Sequence, residues 1–198
     1  MVSALVTAET DLRTNSRSDL DSEVLDLRQA YADHFQSVWR SLQRLGVPRL
    51  AMDDAVQDVF LVVHRRRSEF AARSSLRTWI LGIALRVAKD YRRAARRYQA
   101  RVQRYANEVA LTAEMSNPGE AAERREANRV LHSILDELND DERAVFVLVE
   151  LEQCAVREAA VACGVSLPTC QRRLRRARIA FEAALLRRSD EVPGRSKL

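Results

Sequence analysis

Asp54 and Asp58 stand four residues apart in the stretch MDDAVQDVFLVVHRRR, with Gln57 between them and Asp53 just ahead. On a helix, carboxylates at that spacing share one face. Two chemistries suit such a face. Converging carboxylates hold divalent cations, which would make the chain a metal-dependent enzyme. An exposed acidic ridge can instead set the register of a partner protein through complementary charge. The metal reading needs further carboxylates from a facing helix. The other acidic cluster, Asp140-Asp141-Glu142, lies where a helix starts and is explained by that position.

Other chemistry-bearing residues are dispersed. Cys154, Cys163 and Cys170 are spaced by nine and seven residues without a CxxC pair, and His34, His64 and His132 are scattered. A zinc site would need long-range assembly, so buried, reduced thiols are the expectation. No Ser-His-Asp or Cys-His arrangement and no glycine-rich phosphate loop is recognisable. The sequence points to no enzyme, metal or cofactor. The net charge of +5 comes almost wholly from arginine, with Lys89 and Lys197 as the lysines. The arginines cluster as Arg92, Arg93, Arg96, Arg97, Arg101 and Arg104, and again as Arg172, Arg173, Arg175, Arg176 and Arg178. Clustered cations of this kind favour a polyanion partner.

The elements that position these residues are helical. Gly and Pro number 5 and 4, and no alternating apolar runs mark strands. Residues 1–21 form a polar, flexible tail without a secretory signal, and no stretch is long enough to span a bilayer. A cytoplasmic protein is expected. A first helix is expected from near Ser22, with Leu27, Tyr31, Phe35, Val38, Trp39, Leu42 and Leu45 on its apolar face and Gly46-Val47-Pro48 as its stop. Val56, Val59, Phe60 and Val63 line the helix that carries the acidic ridge. After a polar loop from Ser68 to Ser74, Ser75 caps a long helix with Leu76, Trp79, Ile80, Ile83, Ala84, Val87 and Tyr91 as its buried stripe. Periodicity fades across 105–121, where Ser116-Asn117-Pro118-Gly119 signals a turn. The chain is thus expected to be all-α, with a first domain at 22–104, a flexible linker at 105–121, a second domain at 122–188 and a C-terminal tail at 189–198.

The second domain carries VREAAVACGVSLPTCQRRLRRAR, from Val156 to Arg178, with the anatomy of a DNA-binding helix-turn-helix. Ala159 is small where two helices cross, Gly164 suits a turn needing positive φ, and Val165 and Leu174 can fill the shared core. Ser166 caps the second helix, and Pro168 is tolerated in its first turn. Thr169, Gln171, Arg172, Arg173, Arg175 and Arg176 are the candidates for base and phosphate contacts on that helix.

Four segments in order then resemble the extracytoplasmic-function group of bacterial RNA polymerase sigma factors. DDAVQDVF, Asp53 to Phe60, is similar to region 2.2, and SLRTWILGIALRVAKDYRR, Ser75 to Arg93, to regions 2.3 and 2.4. LDELNDDERAVFVLVELE, Leu135 to Glu152, resembles region 4.1, and the helix-turn-helix resembles region 4.2. The resemblance implies that Asp53, Asp54, Gln57 and Asp58 dock on the β′ clamp helices of core RNA polymerase, with a further contact to the β subunit flap. It implies that Phe70, Arg73, Ser74, Ser75, Arg77, Arg86, Arg92 and Arg93 engage the melted −10 element of promoter DNA, while the second domain holds the −35 duplex. An anti-sigma factor is an implied partner. The sequence departs from the family pattern at Leu85-Arg86, at Leu167-Pro168 and Cys170, and at Gln153-Cys154-Ala155, where relatives carry a glycine-bearing turn. Two alternatives accompany this reading: a stand-alone helix-turn-helix regulator, and a polymerase-binding protein that does not initiate.

Overall fold

The computed structural model describes residues 26–71, 74–105 and 122–191. The N-terminal tail, Ser22, Arg73, the linker beyond Tyr105 and the residues after Glu191 lie outside the described residues. Those described form seven α-helices and short helical turns, with no strand among them. The helices are α1 (Leu27–Arg44), α2 (Met52–Arg65), α3 (Leu76–Tyr105), α4 (Ala122–Glu137), α5 (Asp140–Phe146), α6 (Val156–Cys163) and α7 (Leu167–Glu191).

The first helix begins later than the apolar spacing predicts. Asp26 holds extended backbone (φ −65°, ψ 107°), and its carboxylate accepts the Arg28 N–H at 2.9 Å. A side chain satisfying a first-turn amide from outside the helix fixes the start. Gly46, at φ +83°, ends α1. In α2, Met52, Ala55, Val56, Val59, Phe60 and Val63 are all buried, leaving the opposite face to solvent. Ser75 caps α3 as expected, its hydroxyl accepting the Thr78 N–H at 3.1 Å.

Helix α3 is buried on two sides. Ile80, Ile83 and Ala84 pack into the α1–α2 core, whereas Leu81 sits in a second cluster with Val145, Leu148, Cys154, Ala159, Ala160, Cys170 and Leu174. The helix-turn-helix therefore lies directly against α3. A Cβ placed on Gly82 would lie 3.3 Å from the Ala162 Cβ and 3.4 Å from its Cα, so the absence of a side chain there permits the close approach of α3 and α6.

In the second unit, Asn139 caps α5 by accepting the Glu142 N–H at 2.9 Å. The end of α5 widens into a π-helical turn, Val147–Leu151, closed by the Glu152 N–H donating to the Val147 carbonyl at 2.9 Å. Such an insertion rotates the downstream chain relative to a regular helix. Gln153 next takes a left-handed backbone, φ +55°. Gly164, at φ +67°, makes the turn between α6 and α7, and Ser166 accepts the Thr169 N–H at 3.4 Å. Ala159, Cys170 and Leu174 are buried in that shared core, and Val165 packs at its edge. No helix among the described residues is long and apolar enough to cross a membrane.

Candidate functional site

Asp53, Asp54, Gln57 and Asp58 all lie on the exposed face of α2, opposite its apolar stripe. They form one ridge. Asp58 is oriented from outside that helix, because the Tyr91 hydroxyl of α3 donates to its Oδ2 at 2.8 Å. Partial burial, that hydrogen bond and the negative charges of Asp58 and Asp54 push the Tyr91 phenol up to about 12. Beside the ridge, Leu27, Tyr31, Gln57, Phe60, Leu61 and His64 line an open apolar groove of about 500 Å³. Gln57 belongs to both features. Polar groups rimming an apolar hollow are the usual anatomy of a protein-binding surface. Among the described residues, no three His, Cys, Asp or Glu side chains gather where a metal ion could be held.

A second surface surrounds the start of α3. Phe70 is half-buried, with its ring 5.5 Å from that of Trp79. Trp79 thus flanks Phe70 as well as packing on the core. Ser74 and Ser75 follow, and Arg86 and Arg93 are exposed farther along. Arg77 is not free. Its guanidinium forms an ion pair with Glu152 and donates to the Glu152 carbonyl at 2.6 Å. Glu152 is only 3% exposed, and its carboxylate also accepts from Arg44 at 2.9 Å and from Ser37 at 3.1 Å. Glu158 of α6 accepts the Ser75 backbone N–H at 3.2 Å and the Thr78 hydroxyl at 3.1 Å. Farther along α3, Arg92 and Arg96 meet Asp140 at 2.7 and 2.5 Å.

Asp140 shows the electrostatic balance at this contact. Burial works against its charge, but the Arg96 hydrogen bond and the charges of Arg92, Arg96 and Arg143 outweigh that effect and lower its pKa. Arg92 is pulled the other way, its pKa lowered by burial and by neighbouring Arg143. Arg143 is 1% exposed, bonded to Asp136 at 2.8 Å, and its Nε lacks a hydrogen-bond partner among the described residues.

On α7, Gln171, Arg172, Arg175 and Arg176 are exposed as a continuous polar face. Thr169 is half-buried, and Arg173 is drawn toward Asp141 at 2.6 Å. Burial raises the pKa of all three cysteines, Cys163 to about 12, which disfavours the reactive thiolate. The residues that spacing did not single out are Tyr91 as a partner of Asp58, and Arg44, Asp140, Glu152 and Glu158. Each is paired with a group far away in sequence, so no local pattern marks it.

The comparisons with known proteins agree with this layout. The family model "Sigma-70 region 2" matches residues 30–98, and "Sigma-70, region 4" matches residues 128–181. The chain is 33% identical over 149 residues to the ECF RNA polymerase sigma factor SigC of Mycobacterium tuberculosis, covering 75% of this chain and 77% of the relative. Among solved structures it is similar to CnrH in complex with the cytosolic domain of CnrY, at a TM-score of 0.59 and 25% identity, over 80% of this chain and 86% of the other. The fold is also shared with the sigma factor RpoE bound to the anti-sigma factor NepR from Bartonella quintana, at a TM-score of 0.61 and 20% identity, over 82% and 98% of the two chains.

Proposed function

Because this chain belongs to the sigma-70 family, within its extracytoplasmic-function group, we propose that it binds core RNA polymerase in the cytoplasm and selects promoters for it. The polymerase carries out the chemistry; this chain supplies position. The observation that carries the docking half is the exposed ridge of Asp53, Asp54, Gln57 and Asp58 beside an apolar groove. The β′ clamp helices would lay apolar residues in the groove and cations on the ridge.

The melted −10 strand would follow the start and basic face of α3. Phe70 and Trp79 offer aromatic rings against which an unstacked base can rest. Ser74 and Ser75 before α3, and Arg86 and Arg93 along it, would offer donors to bases and phosphates; Arg77 and Arg92 would join them by exchanging their ion pairs with Glu152 and Asp140 for the strand, and Arg73 is assigned with them. The −35 duplex would receive α7 in its major groove, with Gln171, Arg172, Arg175 and Arg176 toward base edges and Thr169 and Arg173 toward the backbone. The β flap would meet the far half of α7, where Ile179 and Leu186 are exposed apolar residues. An anti-sigma factor, as in the RpoE–NepR complex, would act by covering the same surfaces.

Run-off transcription with purified core polymerase and a promoter library tests this directly. Wild-type chain is expected to start transcripts at discrete sites, and D54K/D58K to lose both transcript and core binding. Specific duplex binding without any polymerase-dependent transcript would move the chain to the stand-alone regulators. Core binding without a transcript would make it a non-initiating occupant of the clamp.

A further inference from the structure

The geometry points to Tyr91 as a positioning residue for polymerase docking: from α3, its hydroxyl holds the Asp58 carboxylate of α2 in the orientation that receives a cation of the partner. The inference deepens the docking reading proposed above and rests on it. Asp53, Asp54 and Gln57 stand exposed on α2 with no side-chain hydrogen bond to another helix among the described residues. Asp58 is exposed as well, yet its Oδ2 accepts the Tyr91 hydroxyl at 2.8 Å. One member of the ridge is therefore anchored from a different element, and the others are not. The anchor is firm. The Tyr91 side chain is half-buried against the main core, so its oxygen is a nearly fixed point, and a carboxylate bound to it gives up its own rotational freedom before any partner arrives. Water satisfies a phenol at that depth equally well. The consequence of the bond thus lies with Asp58.

Two opposing effects decide what the bond does to docking. Asp54 precedes Asp58 by four residues on the same face, and like charges at that spacing repel. Left alone, the two carboxylates favour rotamers that swing them apart. The phenol counters this by lying in the field of both. Burial first, then the Asp58 hydrogen bond and the charges of Asp58 and Asp54, push it up to about 12, so it remains a donor near neutral pH. Against this, a donated hydrogen draws charge from the carboxylate and weakens its pull on a second cation. That loss is small here, because Oδ1 carries no hydrogen bond among the described residues and stays open to an incoming ammonium or guanidinium. Orientation prevails because the adjoining groove of Tyr31, Phe60 and Leu61 sets where the partner's apolar side chains lie. Its cation then arrives at one place, and a carboxylate already pointing there has less freedom to lose on binding.

A double-mutant cycle in the full-length chain tests the inference. Y91F deletes the hydroxyl and keeps the ring that packs on the core. Titrated against core polymerase, it should bind about two- to tenfold more weakly than wild type, the range expected for fixing one side chain in advance. A purely structural tyrosine would weaken binding whatever stands at position 58, so the same substitution is made beside D58A. Y91F/D58A is expected to bind core as D58A alone does, the non-additivity of two residues that act as one. Equal losses in both backgrounds would reduce Tyr91 to packing and overturn the inference. Y91F binding core as tightly as wild type, or more tightly, would overturn it too, while a weakened D58A left the docking assignment standing. If D58A and D54K/D58K both bind core like wild type, the ridge is not the docking surface, and the proposed function's docking half falls together with this inference.

Discussion

At the scale of single residues, the acidic ridge behaves as a positioned set. Tyr91 fixes one of its carboxylates, and burial first, then that pairing, raises the pKa of the phenol. D58N should bring the Tyr91 ionisation down from about 12 toward the ordinary value of about 10, followed by phenolate absorbance with Y91F as the blank. The sign comes from linkage: a raised phenol pKa means the folded state holds its proton longer. The contribution is therefore full below the unfolded pKa and fades as pH climbs through the folded one. On α7, Arg172 and Arg176 are exposed and separate from the Asp141 contact of Arg173. R172A should cost about 1–3 kcal/mol on one promoter sequence if it reads a base pair, and weaken all sequences alike if it touches only phosphate. Titrating a panel of −35 duplexes separates these outcomes.

At the scale of elements, most of the helices were legible because apolar residues at three- and four-residue spacing need only one partner face. Helix α2 is the clearest case, with its four expected apolar residues all buried. Helix α3 was half-legible. Its Ile80–Ile83–Ala84 stripe was apparent, but Leu81 and Gly82 face another way and are buried as well. A run apolar on two faces is what a helix between two layers requires, and Gly82 in a helix interior was the available signal. The start of α1 was missed because Asp26 caps it within an otherwise continuous pattern. The site residues Asp53, Asp54, Gln57 and Asp58 were visible as a cluster; Glu152 and Glu158 were not, since their partners lie about 75 to 115 residues away in the chain.

The connection between α5 and α6 carries its own prediction. Gln153 holds φ +55°, a conformation that costs a side-chain-bearing residue about 1–2 kcal/mol. Q153G should raise the thermal midpoint by a few degrees, about 0.5–1 kcal/mol after the greater freedom of glycine in the unfolded chain is counted. Q153V should lower it, because a β-branched side chain tolerates that backbone worst. Calorimetry on the two variants gives the order directly.

At the scale of the whole molecule, stability and pH are linked through the contact between the units. Burial lowers the pKa of His132; Asp136 opposes the shift, and the charges of Arg44 and Arg143 add to it. In the unfolded chain a histidine titrates near about 6.5. Above that value both states are neutral and nothing is gained or lost. Below it the unfolded chain binds the proton more readily, so stability falls until pH passes the lower, folded pKa. The thermal midpoint should therefore drop on acidification from about pH 7 to about pH 5.5, and H132N should flatten part of that slope. His34 shifts in the same direction, chiefly through burial, so the flattening will be incomplete.

The pairing of Arg77, Arg92, Arg96 and Arg173 with acids of the same chain also bears on how the protein fares among bulk chromosomal DNA. A free arginine that meets a phosphate expels a condensed counterion, and that release drives indiscriminate association. Here a carboxylate already stands in for the phosphate, and once displaced it must recruit a cation from solution. The dependence of DNA affinity on ionic strength should thus be shallower than the abundance of arginines implies, leaving the molecule less readily sequestered along the genome before it meets its enzyme.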